Sequence, residues 1–311
     1  MNPNKAALSL VIITALYVSG LFWVDSKKDI FNQLSLLLSS LPVLLSLTSL
    51  SLLIRFGRWH WLLRKVGHKI PIKYGIASYL AGFAFTATPG KVGELLRIRY
   101  LEPVGILPKT VVSAFIFERL IDLISVLSLS MFGAFQFGVF WIAFFFTSFI
   151  IGAIVFLIRF PKIVDVIANR FNHLGYTRIE KLLETISNGI QGIKFWMTPL
   201  DIILSLISGL LSWLCLSFSF ILLLNEFHVL IPFHTAISIY PISTLAGAAS
   251  MIPGGLGSTE ATIVTLLIKN NLEISIATII AIGIRFSTIW FAVVIGILML
   301  IPLEIKLQKN K

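Results

Sequence analysis

Charge is scarce in this sequence: only 13% of its 311 residues are Asp, Glu, Lys or Arg, against 57% hydrophobic. A soluble domain needs about 25% charged residues to cover its surface, so composition excludes a water-exposed globule. Cysteine is nearly absent as well. The single Cys215 excludes an internal disulfide and a cysteine-based metal cluster, and it leaves the redox compartment unreadable. Also missing are the Gly-x-Ser-x-Gly elbow and the Gly-x4-Gly-Lys-Ser/Thr phosphate loop. With acids scarcer than bases, 14 to 25, the net charge is +11; in a membrane protein such an excess is first assigned to cytoplasmic loops, and no nucleic-acid role is inferred.

What is present is long apolar runs. Six of them, at about 6–24, 34–54, 110–136, 139–158, 199–224 and 274–301, are long enough to cross a bilayer at roughly 20 residues each. The first lacks a small-residue cleavage site before Asp25 and reads as a retained helix, not a signal peptide. The fold class expected is an all-α polytopic membrane protein, one integral membrane domain over 1–311. Two further apolar stretches, 74–109 and 234–270, are broken by proline, glycine and charge.

Basic residues orient the chain. The stretch 55–73 carries Arg55, Arg58, Arg64, Lys65, Lys69 and Lys73 without an acid, and Lys306, Lys309 and Lys311 follow Pro302, whereas 225–233 has only Glu226. The first two should be cytoplasmic, with both termini, and the third external. Parity then makes 74–109 a re-entrant hairpin from the inside and 234–270 one from the outside. The competing reading makes eight or more full spans. Inverted-repeat halves of about 34–158 and 199–301 follow, joined by a cytoplasmic segment, 159–198. In that segment Ile179, Leu182, Leu183, Ile186, Ile190 and Ile193 recur at helical spacing, as in an amphipathic helix on the inner leaflet. Trp59, Trp61, Trp141 and Trp196 fit an interfacial aromatic belt. His60, His68, His228 and His234 read as interfacial, since no metal-ligand spacing surrounds them.

The interrupted stretches share a motif. Pro89-Gly90-Lys91-Val92-Gly93 and Pro253-Gly254-Gly255-Leu256-Gly257 both read Pro-Gly-x-aliphatic-Gly, with Glu94 or Glu260 after them and Arg119 or Arg285 some 30 residues beyond each proline. Such breaks leave backbone groups unpaired, which is tolerated only beside protein or a wet cavity. Inverted repeats place a binding site where their broken helices meet. Half-helices starting near Val92 and Ser258 would offer free N–H groups to an anion. Lys91, Glu94 and Arg97 on the first hairpin, and Glu118, Arg119 and Asp122 on the next span, are too costly to face lipid. They are expected to pair with one another around a polar cavity, with Lys91 at the break nearest a ligand. The alternative is that they form a structural ion-pair network.

The succession Arg58-Trp59, Leu62-Leu63-Arg64, Thr88-Pro89-Gly90-Lys91-Val92-Gly93-Glu94 with Arg97, Tyr100-Leu101, Glu118-Arg119-Leu120-Ile121-Asp122 and Ile252-Pro253-Gly254-Gly255-Leu256-Gly257 with Glu260 resembles the flippase-like membrane region of lysylphosphatidylglycerol synthases. The resemblance runs from about residue 40 to 300. In two-domain members a soluble C-terminal domain transfers an aminoacyl group from charged tRNA to lipid, and the membrane region is associated with moving the product between leaflets. The chain extends nine residues beyond Pro302, so it is expected to be a stand-alone membrane member without that transferase activity. The leading expectation is a non-enzymatic transporter in the cell membrane that binds a phospholipid or lipid-linked headgroup through Lys91, Glu94, Arg97, Glu118, Arg119, Asp122, Glu260 and Arg285. No cofactor or metal is expected. The expected partners are that lipid and anionic lipids of the cytoplasmic face, with a homo-oligomer or a partner synthase left open. The alternatives are an intramembrane transferase using a carboxylate such as Glu94, Glu118 or Asp122 as base, and an accessory protein of envelope lipid or glycan synthesis.

Overall fold

A computed structural model of the protein describes residues 37–309 apart from 87, 134–136, 161–162, 165 and 167–176. The run expected at 6–24 lies outside these residues, as does much of 159–176. Every regular element among the described residues is helical.

The first helix, α1 (Leu37–Lys65), is longer than its apolar run. The expectation ended it at 54 and put Arg55 and Arg58 in a cytoplasmic loop. Instead the helix continues through both, and they are buried at 5% and 4% exposure. No proline interrupts 55–65, and the stop comes at Gly67, whose φ is +90°. There His68 N–H donates to Leu63 C=O and Gly67 N–H to Arg64 C=O, the two bonds of a Schellman cap.

The first broken stretch is an antiparallel hairpin. Helix α2 (Ile72–Ala81) tightens into a 3-10 turn (Gly82–Phe85), and the chain returns through a 3-10 segment (Pro89–Leu96) and α3 (Arg97–Leu101). Tyr74 O–H donates to Tyr100 C=O, tying the start of one arm to the end of the other. Each arm is about 20 Å long at 1.5 Å per residue, short of a hydrocarbon core of about 30 Å.

Helices α4 (Pro108–Ser130) and α5 (Gly138–Arg159) follow, then α6 (Thr177–Gly192) and α7 (Pro199–Glu226). The second hairpin comprises α8 (Phe233–Ala249) and α9 (Ser258–Lys269), with a turn (Pro253–Gly255) at its tip. Last comes α10 (Ile274–Arg285), which passes through a π-helical turn (Phe286–Trp290) into α11 (Phe291–Lys309).

Among the described residues four helices are long and apolar enough to cross a membrane: α1, α5, α7 and the continuous α10–α11 rod. Helix α4 has the length, but Glu118, Arg119 and Asp122 fall in every 18-residue window of it. The chain is an all-helical membrane protein with several apolar helices.

Packing is reciprocal between the two hairpins. Helices α1 and α7 lie along each other, α11 packs on α2 and its 3-10 extension, and α4 packs on α8. The two Pro-Gly tips also touch. Two clamps hold α1 to α7: Ser39 and Ser40 donate to Glu226 at one end, and Lys65 pairs with Asp201 at the other.

The amphipathic helix has a protein partner. A Cβ at Gly189 would meet Val112 at 2.5 Å and one at Gly192 would meet the Ser113 hydroxyl at 2.2 Å, so α6 lies hard against α4. Ile190, Ile193 and Trp196 are buried, and Trp196 N–H donates to Leu62 C=O at 3.0 Å. Its apolar face therefore covers α4, where an inner-leaflet seat was expected. Trp59 and Trp196, assigned to the interfacial belt, are each only 1% exposed, whereas Trp141 is half exposed.

Candidate functional site

The first tip is built on a reversal of backbone sign. Thr88 is extended, Gly90 has φ +61° and Lys91 has φ +57°. A lysine in the left-handed region costs about 1–2 kcal/mol, and residues held there cluster at functional sites. Thr88 Oγ accepts from Gly93 N–H at 2.8 Å and donates to Phe85 C=O at 2.9 Å. Gly93 is required by space: a Cβ would meet Phe85 O at 2.3 Å. Gly90 is required by conformation, since a Cβ there meets only Val92 at 3.8 Å.

The second tip repeats the break with Gly254 at φ +63°, Gly255 at φ +63° and Gly257 at φ +82°. Its polar groups are closed on themselves. Glu260 accepts Gly257 N–H through one oxygen at 2.8 Å and Arg285 Nε through the other at 2.9 Å. Arg285 Nη2 in turn donates to Gly254 C=O. The helix expected to begin near Ser258 does begin there, and the Glu260 carboxylate of its first turn reaches back to the N–H of Gly257 just before it.

Behind the first tip lies a buried network larger than the sequence indicated. Asp122 on α4 is shared by Arg55 at 2.9 Å, Arg58 at 2.8 Å and Arg119 at 3.1 Å. Glu118 takes Arg97 at 3.3 Å, Arg58 at 3.7 Å and the Tyr79 hydroxyl at 3.0 Å. Glu94 takes Arg97 at 2.9 Å, Arg119 at 3.8 Å and the Thr86 hydroxyl at 3.2 Å. Arg97 lies over the Tyr79 ring at 3.9 Å, a cation–π contact strengthened by burial. The expected pairings of hairpin with span are present, and Glu118 and Asp122 do share a face. Lys91 makes no ion pair with any described residue.

Arg55, Arg58 and Tyr79 were missed as members. A signal for two of them was present: Thr48, Ser51, Arg55 and Arg58 recur at intervals of three and four, one polar stripe on α1. Assigning every arginine of 55–73 to a loop hid it.

The tips and the network enclose a cavity of about 420 Å³, within the range of small-molecule sites. Lys91, Arg119, Asp122 and Arg285 line it, with Gly90, Gly254 and Gly255. Glu94, Arg97, Glu118 and Glu260 stand behind its wall, and Pro89, Gly93, Pro253 and Gly257 shape the turns. Apolar Phe146, Ile150 and Ile154 of α5 form another part of the lining. Three lining side chains carry buried polar atoms without a hydrogen-bond partner among the described residues: Thr48 Oγ1, Arg119 Nε and Nη2, and Trp213 Nε1. All can donate. The lining sets the cations Lys91 and Arg119 beside hydrocarbon, which suits an anionic headgroup carrying an apolar tail.

Comparison with known proteins places the chain among membrane proteins. A "UPF0104 membrane protein" of Methanothermobacter thermautotrophicus is 30% identical over 124 residues, a stretch covering 38% of this chain and 36% of that protein. The similarity thus spans little more than a third of that relative's length. A family profile described as "Lysylphosphatidylglycerol synthase TM region" matches residues 6–296. The chain belongs to that family of membrane proteins.

Proposed function

We propose that this protein binds an anionic lipid headgroup between the two hairpin tips and moves it between leaflets. The observation that carries the reading is the cavity where the tips meet, with Arg119 and Lys91 on its wall and Lys91 in no ion pair with any described residue. An ionised headgroup cannot cross hydrocarbon unaided. A chamber within the helical bundle that sets cations among apolar walls lowers that barrier. Family membership supports a role in membrane lipid biology.

In this reading the hairpins are re-entrant and the halves, about 34–158 and 199–301, are inverted repeats. The reciprocal packing and the short first-hairpin arms support it, as do the touching tips. Helix α4 is then a crossing whose charges face protein, and with 6–24 the crossings number six, both termini being cytoplasmic. The carboxylates balance arginines and act in no general-base step, so the protein is a transporter and not an enzyme.

Two measurements test this. Single cysteines at Val104 and Asn271, in a Cys215→Ser background, should label from opposite faces of sealed vesicles; labelling from one face would overturn the inverted repeat. Purified protein in liposomes should move fluorescent anionic lipid between leaflets faster than protein-free liposomes. Equal rates would overturn transport.

A further inference from the structure

The charges around the cavity do not cancel. Among the described residues five cations, Arg55, Arg58, Lys91, Arg97 and Arg119, meet three carboxylates, Glu94, Glu118 and Asp122. Arg285 and Glu260 neutralise each other. The surplus is two positive charges, and its location can be read from the hydrogen bonds. Arg55, Arg58 and Arg97 each hold a carboxylate at 2.9 Å or closer. Arg119 reaches the same carboxylates at 3.1 and 3.8 Å, sharing each with an arginine that holds it more closely, and Lys91 makes no ion pair with any described residue. Both line the cavity. The surplus therefore lies on the wall a ligand would touch.

A buried surplus is costly unless a counter-charge is bound. A phosphodiester carries one negative charge and would leave one cation uncompensated. A terminal phosphate, with up to two charges and three free oxygens, compensates both. An arginine guanidinium beside a lysine point charge is also suited to a terminal phosphate.

We propose that the headgroup this cavity selects is a terminal phosphate, that of a phosphomonoester or diphosphate lipid, in preference to a phosphodiester or a zwitterion. The proposal rests on the lipid-handling reading above and narrows it. The same headgroup chemistry occurs on glycerolipid and isoprenoid tails.

The test is equilibrium binding of four lipids to the full chain in detergent micelles: phosphatidic acid, a polyprenyl monophosphate, phosphatidylglycerol and phosphatidylcholine. At least one monoester should bind about tenfold more tightly than phosphatidylglycerol, and phosphatidylcholine more weakly still. If both monoesters gain, the phosphate alone is selected; if only one gains, its tail identifies the source. In Lys91→Gln the monoester advantage should fall to within about twofold, because the surplus drops to one charge, whereas Lys91→Arg should retain it. Equal binding of phosphatidylglycerol and both monoesters would overturn this inference while leaving lipid handling intact. Saturable binding of none of the four would overturn both. The wild-type comparison decides the class even if a variant fails to fold.

Discussion

At the second hairpin tip one carboxylate does two jobs: Glu260 accepts the Gly257 N–H just before α9 and holds Arg285, which donates to the Gly254 carbonyl. At the first tip the same backbone break is surrounded by seven charged side chains from α1, the hairpin and α4, and the lysine at the break pairs with none of them. The two Pro-Gly motifs therefore report one backbone geometry and two electrostatic situations. A repeated motif locates where the helices break, and the charge balance around each copy distinguishes a closed turn from an open binding wall. Concentrating charge in one half also explains why α4 departs from the apolar composition of its neighbours while remaining buried.

The largest expected effect follows from that contrast. Asp122→Ala leaves Arg55, Arg58 and Arg119 without their shared acceptor and should cost about 3–5 kcal/mol, the range for breaking a buried ion pair. Glu260→Ala leaves Arg285 with the Gly254 carbonyl and should cost about 2 kcal/mol. Melting temperatures in detergent should rank them so, and equal losses would erase the distinction between the tips. Arg119→Ala removes one of three partners of Asp122, so its loss should be smaller than either, and adding Asp122→Ala should not restore stability.

The sequence made the backbone of both hairpins legible. Stretches expected at 74–109 and 234–270 became arms over Ile72–Leu101 and Phe233–Lys269, because proline, glycine and charge together interrupt otherwise apolar runs there. The pairs Glu94 with Arg97 and Glu118 with Asp122 followed from helical spacing. What could not be read was which arginines belong to solvent. Positive residues next to an apolar run look like loop anchors, yet Arg55 and Arg58 continue α1 and turn inward to carboxylates 64–67 residues away in the chain. The same limit applies to Trp196, whose indole packs on Phe117, and to the apolar face of α6. Periodicity shows that a face will be covered, and only the tertiary contacts show whether lipid or protein covers it.

A smaller effect sharpens the comparison sterically. Gly93→Ala forces a methyl group against Phe85 O and Cβ and should cost about 1–3 kcal/mol through overpacking. Gly257→Ala enters open space but must hold φ +82° with ψ −49°, a strained conformation for any residue with a side chain, and should cost about 1–3 kcal/mol. A melting temperature for Gly257→Ala equal to wild type would mean that the second tip relaxes its break instead of holding it.

The smallest stability change should come at Lys91, which is also where the largest functional change is expected. Lys91→Gly removes the ammonium and relieves a left-handed φ of +57°, a gain of about 1–2 kcal/mol. Glycine also loosens the unfolded chain, which offsets about 0.4–1 kcal/mol of that gain. The net change should be within about 1 kcal/mol of wild type. If Lys91 were a structural member of the ion-pair network, its loss would lower the melting temperature as Asp122→Ala does. If it serves the ligand, the melting temperature should hold while lipid binding and movement in vesicles fall at least about tenfold, the weight of one lost charge-assisted contact. A variant that melts like wild type and still moves lipid at the wild-type rate would remove Lys91 from the site. The two tips would then differ in charge without differing in role.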